Sequence, residues 1–115
     1  MSATAHIMIE PLIRRQIFRN EDDAVKTLLR TYIVNQLGEL QQRNDAFKRK
    51  YGMEFESFGD YLHERSELLR RDALSPEERQ AIGRAIMQEE DDWFDWKVAL
   101  EMLDAWIGIR QEVKA

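Results

Sequence analysis

SPEERQAIGRAIMQEEDDWFDWKVALEMLDAWIGIRQEV, residues 75–113, is the stretch whose reading decides the fold. Ser75, Pro76 and Glu78 make a helix start: a side-chain cap, a first-turn proline that has no amide to leave unpaired, and a carboxylate that reaches back to the cap. Ile82, Ile86, Glu89, Trp93, Trp96, Leu100, Leu103 and Ile107 then recur at alternating spacings of four and three, the pattern of a helix packed along its whole length. Unbroken, such a helix spans about 55–60 Å at 1.5 Å per residue, more than the width of a compact chain of this size. Its seam therefore predicts association with a second copy or with another protein. A break at Glu90–Asp91 would instead fold the stretch into a compact hairpin.

The remaining composition agrees with long helices. The chain has 115 residues, 34% of them charged, with five glycines and two prolines, which suits one all-α domain more than a loop-rich or β-rich one. Cysteine is absent, so a disulfide framework, a thiolate metal site and a cysteine nucleophile are excluded. No apolar run approaches a membrane span, and the N-terminus lacks a charged segment followed by an apolar block; the expectation is a cytoplasmic protein with no membrane contact. Charge divides the chain. Residues 1–52 carry nine Lys and Arg against six Asp and Glu, a net of +3, whereas residues 53–115 carry eight against sixteen, a net of −8. A basic first half suits phosphate or nucleic acid and an acidic second half suits a basic partner, although helix charge commonly just faces water.

Taken in order, Thr4 to Glu10 alternates, with Ala5, Ile7 and Ile9 on one side and Thr4, His6 and Met8 on the other. That allows a short strand, which would need another copy to pair with. Pro11 opens a short helix to Phe18 with Arg14, Arg15 and Arg19 as the most basic cluster of the chain, a candidate DNA contact. Asn20 caps a long second helix whose first turn, Glu21, Asp22 and Asp23, suits the helix dipole, and Gly52 supplies a left-handed end. Val25, Leu28, Leu29, Tyr32, Ile33, Leu37, Leu40, Phe47 and Tyr51 share its broad apolar face. Within it Leu37, Leu40, Asn44 and Phe47, together with Leu100, Leu103 and Ile107 of the last helix, are the expected oligomer seam. Asn44 is either a buried polar residue that fixes register or a wet one beyond a bend near Gly38.

Glu10-Pro11-Leu12-Ile13-Arg14-Arg15-Gln16-Ile17-Phe18-Arg19-Asn20-Glu21-Asp22-Asp23-Ala24-Val25-Lys26-Thr27-Leu28-Leu29-Arg30 resembles the two-helix part of ribbon-helix-helix regulators. In that family a short helix, a turn with an aromatic residue, a capped acidic turn and an Ala-x-x-x-x-Leu-Arg helix recur, often in antitoxins of bacterial and archaeal toxin–antitoxin pairs. The resemblance implies dimerisation through this region, a toxin-like partner and DNA contact.

A third helix is expected over Ser57 to Asp72. Asp60, His63, Glu64 and Glu67 fall at helical spacings on it, a weak metal-ligand set and more simply an exposed polar face. In the last helix Glu89, Glu90, Asp91, Asp92 and Asp95 crowd around Trp93, Phe94 and Trp96. Their mutual repulsion is relieved by a cation or a basic partner, and aromatic side chains are the usual anchors of interfaces; the same tryptophans suit the interior of a bundle equally well. The sequence thus predicts an all-α bundle that assembles as an oligomer, holds no cofactor or metal, and has no nucleophile, general-base histidine or phosphate loop at a spacing that would make it an enzyme. Two readings follow: an antitoxin-like regulator that dimerises and binds a basic protein, with DNA as a further candidate partner, and an adaptor that binds protein alone.

Overall fold

A computed structural model describes residues 2–71 and 74–114. Four helices follow one another, α1 (Ala3–Arg14), α2 (Glu21–Tyr51), α3 (Phe55–Arg71) and α4 (Pro76–Lys114), and no strand occurs among the described residues. Local chemistry sets most of the ends. The Ser75 hydroxyl accepts from the Glu78 amide and the Asn20 side chain accepts from the Asp23 amide, so both long helices start on satisfied caps. Gly52 ends α2 at φ 66°, a left-handed conformation that costs glycine nothing. α3 begins two residues earlier than the Ser57 expected, and the expected end at Asp72 lies outside the described residues.

Two expectations change. Thr4 to Glu10, which alternation allows as a strand, lies inside α1. The Ser2 hydroxyl caps this helix by accepting from Ala5, and Ala5, Ile9, Leu12 and Ile13 are its half-buried side, a helical spacing hidden within the alternating one. Pro11 therefore sits inside the helix rather than at its start, and the amide it lacks leaves the Ile7 carbonyl without its ladder partner. α1 also stops four residues before the expected Phe18. Gln16 adopts φ 60°, its amide bonds the Ile13 carbonyl and the Ile17 amide bonds the Leu12 carbonyl, the paired closing bonds of a Schellman turn.

α4 runs unbroken through Glu90–Asp91, about 58 Å of helix at 1.5 Å per residue. Its seam is covered within the chain. α2 lies antiparallel along its C-terminal half, as Tyr32 against Trp106, Asn44 against Trp96 and Lys50 against Asp92 define. α3 lies antiparallel along its N-terminal half, with Arg65 on Glu89 and the Arg79 guanidinium donating to the Leu69 carbonyl. α2 and α3 thus stand end to end on one continuous helix. α1 folds back on the start of α2, where Ala24 is fully buried.

The result is a rod. Its extents are 73 × 25 × 23 Å and its radius of gyration is 22.7 Å, against about 13 Å for a compact chain of this length. Burial concentrates where α2 meets α3 over the middle of α4. Trp96 and Phe58 are fully buried there with Leu62, and Phe47, Tyr51, Phe55, Trp93 and Leu100 pack around them. Phe47 stacks on Trp96 at 5.5 Å and Phe58 lies 5.7 Å from it, contacts that add about 0.5–1.5 kcal/mol each beyond the burial itself. Gly59 lets α3 approach α4 closely, since a Cβ there would stand 3.3 Å from Trp93 Nε1.

Candidate functional site

The acidic cluster of α4 divides in two because successive helical residues face different ways. Glu89, Asp92 and Trp96 turn inward. Asp92 accepts from Lys50 Nζ at 2.6 Å and from the Tyr51 hydroxyl. Burial alone would push the Asp92 carboxyl up, but the Lys50 and Tyr51 hydrogen bonds outweigh it and hold its pKa below the usual carboxylate range. Burial, reinforced by Asp92, pushes the Tyr51 phenol up. Glu89 pairs with Arg65 at 2.5 Å, and its second oxygen, Oε2, is buried with no hydrogen-bond partner among the described residues. Arg65 also donates to the Tyr61 hydroxyl. Although burial works against its charge, Tyr61 and Glu89 raise its pKa. Trp96 Nε1 donates to Asn44 Oδ1 at 2.8 Å.

These groups, expected to meet a partner, instead join α4 to α2 and α3. Of the same cluster, Trp93 is half-buried, and Glu90, Asp91 and Asp95 are exposed together with Phe94. Phe94 is the ridge between two shallow grooves, one of about 430 Å³ over Gly59, Leu62 and Trp93, the other of about 530 Å³ over Arg43, Ala46, Phe47 and Val98.

The expected oligomer seam lies mainly inside the chain. Leu40 and Asn44 are buried, and Leu37, Phe47, Leu100, Leu103 and Ile107 are half-buried on the facing sides of α2 and α4. Asn44 is the buried alternative of the two, and the register it fixes is that of α2 on α4, through Trp96. The seam does not need a second copy to cover it.

What the chain leaves uncovered is elsewhere. Beside the last turns of α4, where Tyr32 meets Trp106, Val25, Leu28, Leu29 and Tyr32 of α2, at spacings i, i+3, i+4 and i+7, form one stripe that is 39–54% exposed. Ile7, Met8 and Ile17 of α1 and the following turn are exposed as well. On α4, Met87, Phe94, Val98, Met102 and Ile109 form a second stripe on the side of the helix opposite Trp96, with Phe94 and Val98 bordering the grooves that α3 and α2 make with α4. The sequence carries a signal for that stripe, because α4 has apolar residues on two opposite sides, although the inner heptad is the more regular of the two.

The three arginines of the candidate DNA contact are exposed and each leans on a neighbour four residues away: Arg14 on Glu10 at 3.9 Å, Arg15 on the Pro11 carbonyl at 3.3 Å and Arg19 on Asp23 at 3.8 Å. Asp60, His63 and Glu64 are exposed and Glu67 pairs with Arg70. Among the described residues no group of three His, Asp or Glu side chains is placed to hold a metal ion, and no helix is long and apolar enough to cross a membrane. Comparison with family models, with curated proteins and with solved structures finds no match to this chain.

Proposed function

We propose that the protein works by binding another protein through the exposed stripe of α2, as a helical adaptor. The observation that carries this is Val25, Leu28, Leu29 and Tyr32, four large apolar side chains in register on one exposed side of α2, beside the last turns of α4. Single exposed apolar residues are ordinary, whereas a continuous stripe of four, flanked by α1 on one side and by the end of α4 on the other, suits a partner helix laid into the groove.

The antitoxin-like reading is the specific form of this proposal in which the partner is a basic, toxin-like protein and DNA is also touched. Exposed Glu90, Asp91 and Asp95 beside Phe94 support a basic partner. For DNA the support is Arg14, Arg15 and Arg19, all at the surface of the α1–α2 turn. Helix α1 occupies the residues that would pair as a ribbon in the resemblance, which favours the adaptor over the DNA-binding regulator.

The test is Leu28→Glu combined with Leu29→Glu. Both side chains are exposed, so thermal stability and helix content should stay within about 0.5 kcal/mol of wild type, while a partner cross-linked in the native host by the wild-type protein should be lost. A partner set unchanged by the double variant would overturn the adaptor reading. For the DNA branch, retention on DNA at low salt that falls with Arg14→Ala and Arg15→Ala would support it, and no retention would remove it.

A further inference from the structure

We infer that the outer face of α4 is a self-association surface on which a second copy of this chain packs antiparallel, with the two-fold axis at Val98. This goes beyond the adaptor reading above, which rests on the stripe of α2, so either can fail without the other.

The argument starts from the pattern around Val98. An antiparallel pair of helices related by a two-fold axis brings residue 98+n of one copy against 98−n of the other, whatever the sequence. The sequence decides whether what meets is compatible. Four residues either side, Phe94 meets Met102; eleven residues either side, Met87 meets Ile109. Val98 meets itself. These five side chains are 37–68% exposed, and in a helix of 3.6 residues per turn offsets of 4 and 11 residues keep them in one band opposite Trp96.

The polar positions in the same band agree as well. At seven residues Asp91 meets Ala105, so the carboxylate faces a small side chain rather than another charge, and has room to reach the rim. At fourteen residues Arg84 meets Glu112, an opposite pair that the two-fold axis repeats at both ends of the contact. Neither Arg84 nor Glu112 has an ion-pair partner among the described residues. On the flank, Glu101 falls level with Asp95 of the other copy, two carboxylates on opposite edges of the contact, and Lys97, the i, i+4 neighbour of Glu101 at 4.0 Å, stands beside the axis to offset them. A parallel pair would instead set Asp91 against Asp91, Arg84 against Arg84 and Glu112 against Glu112.

The contact runs from residue 84 to residue 112, about 42 Å at 1.5 Å per residue, and at a helix width of about 10 Å it removes on the order of 400 Å² from each copy. That lies at the small end of specific interfaces, in the range of weak and concentration-dependent association. The oligomer expected from the sequence is thereby moved from the inner seam of α4 to its outer face.

The absence of cysteine makes the test direct, since any introduced thiol is the only one present. Sedimentation of the full chain from about 1 to 200 µM should move from the monomer mass of 13.7 kDa towards twice that value. Val98→Cys should cross-link to its own copy under mild oxidation, because only residues at the axis meet themselves. Met87→Cys should not, whereas Met87→Cys together with Ile109→Cys should. Arg84→Glu should weaken the dimer several-fold and Arg84→Glu with Glu112→Arg should restore it; helix content, unaltered in each variant, guards against misfolding. Monomer at 200 µM, or a Met87→Cys single variant that cross-links as readily as Val98→Cys, would overturn the antiparallel dimer.

Discussion

The middle of the rod and its N-terminal end are built from similar helices and differ in what surrounds them. At the middle, three helices meet, Trp96 and Phe58 are fully buried, and even the charged side chains are spent on internal bonds: Asp92 on Lys50 and Tyr51, Glu89 on Arg65. At the N-terminal end, α1 has no buried residue, Pro11 interrupts its ladder, and the facing part of α2 leaves Val25, Leu28, Leu29 and Tyr32 in solvent. The lesson is that an apolar helical face is not itself a core. Ile33 and Leu40 are buried because they face α4, whereas Leu28 and Leu29, on the same helix and no less apolar, stay exposed beside its last turn.

The largest break in that contrast should come from Trp96→Ala. It removes the side chain around which Phe47, Phe55 and Phe58 pack and strands Asn44, so a loss of about 3–5 kcal/mol is expected by denaturant titration. A loss below 1 kcal/mol would mean that the middle is not the stabilising region.

Asp92→Ala should come next, at about 2 kcal/mol, because the part-buried Tyr51 hydroxyl loses its acceptor while half-exposed Lys50 can return to water. The pH dependence follows from the same group. The folded pKa of Asp92 is lowered, so its contribution is complete above about pH 4, the unfolded carboxylate value, and is lost as pH falls further through the folded value. The folded pKa of Tyr51 is raised, so its contribution is complete below about pH 10 and is lost as pH rises beyond that. Asp92→Asn should flatten the acid limb of the stability profile and shorten the alkaline one. A profile identical to wild type would deny the Asp92 cluster its part.

The smallest effect sharpens the other side of the comparison. Gln16 holds φ 60° in an exposed turn, and Gln16→Gly should stabilise the α1–α2 junction by about 0.5–1 kcal/mol, visible as added amide protection in α1 and little change at Trp96. A destabilised variant would show that the Gln16 side chain supports the turn by a contact of its own.

How much of this was legible in advance depended on whether the deciding signal was local. Ser75, Asn20 and Gly52 mark their helix ends through bonds within four residues, and all three were readable. Thr4 to Glu10 was not, because seven residues satisfy a two-residue and a 3.6-residue period at once, and the Ser2 cap and the stripe of Ala5, Ile9, Leu12 and Ile13 decide between them. The heptad of α4 showed that one side would be covered, yet periodicity names a face and never its occupant. So Asn44 and Trp96 were each legible as candidates for burial, but not that they meet across fifty-two residues. The split of the acidic cluster followed from the same long-range choice, since only the placement of Lys50, Tyr51 and Arg65 tells Asp92 and Glu89 from Asp91 and Glu90.

The joint between α2 and α3 at Gly52 falls beside an uninterrupted stretch of α4, as the seams in one course of brick are bridged by the next. A rod jointed in this way resists bending where it would otherwise be weakest, because to open the angle between α2 and α3 the chain must pull Tyr51 from Asp92 and Phe58 from Trp96 at the same moment. Its length is therefore held stiff. The exposed stripe of α2 and the far end of α3 are held apart along a strut that measures 73 Å on its long axis.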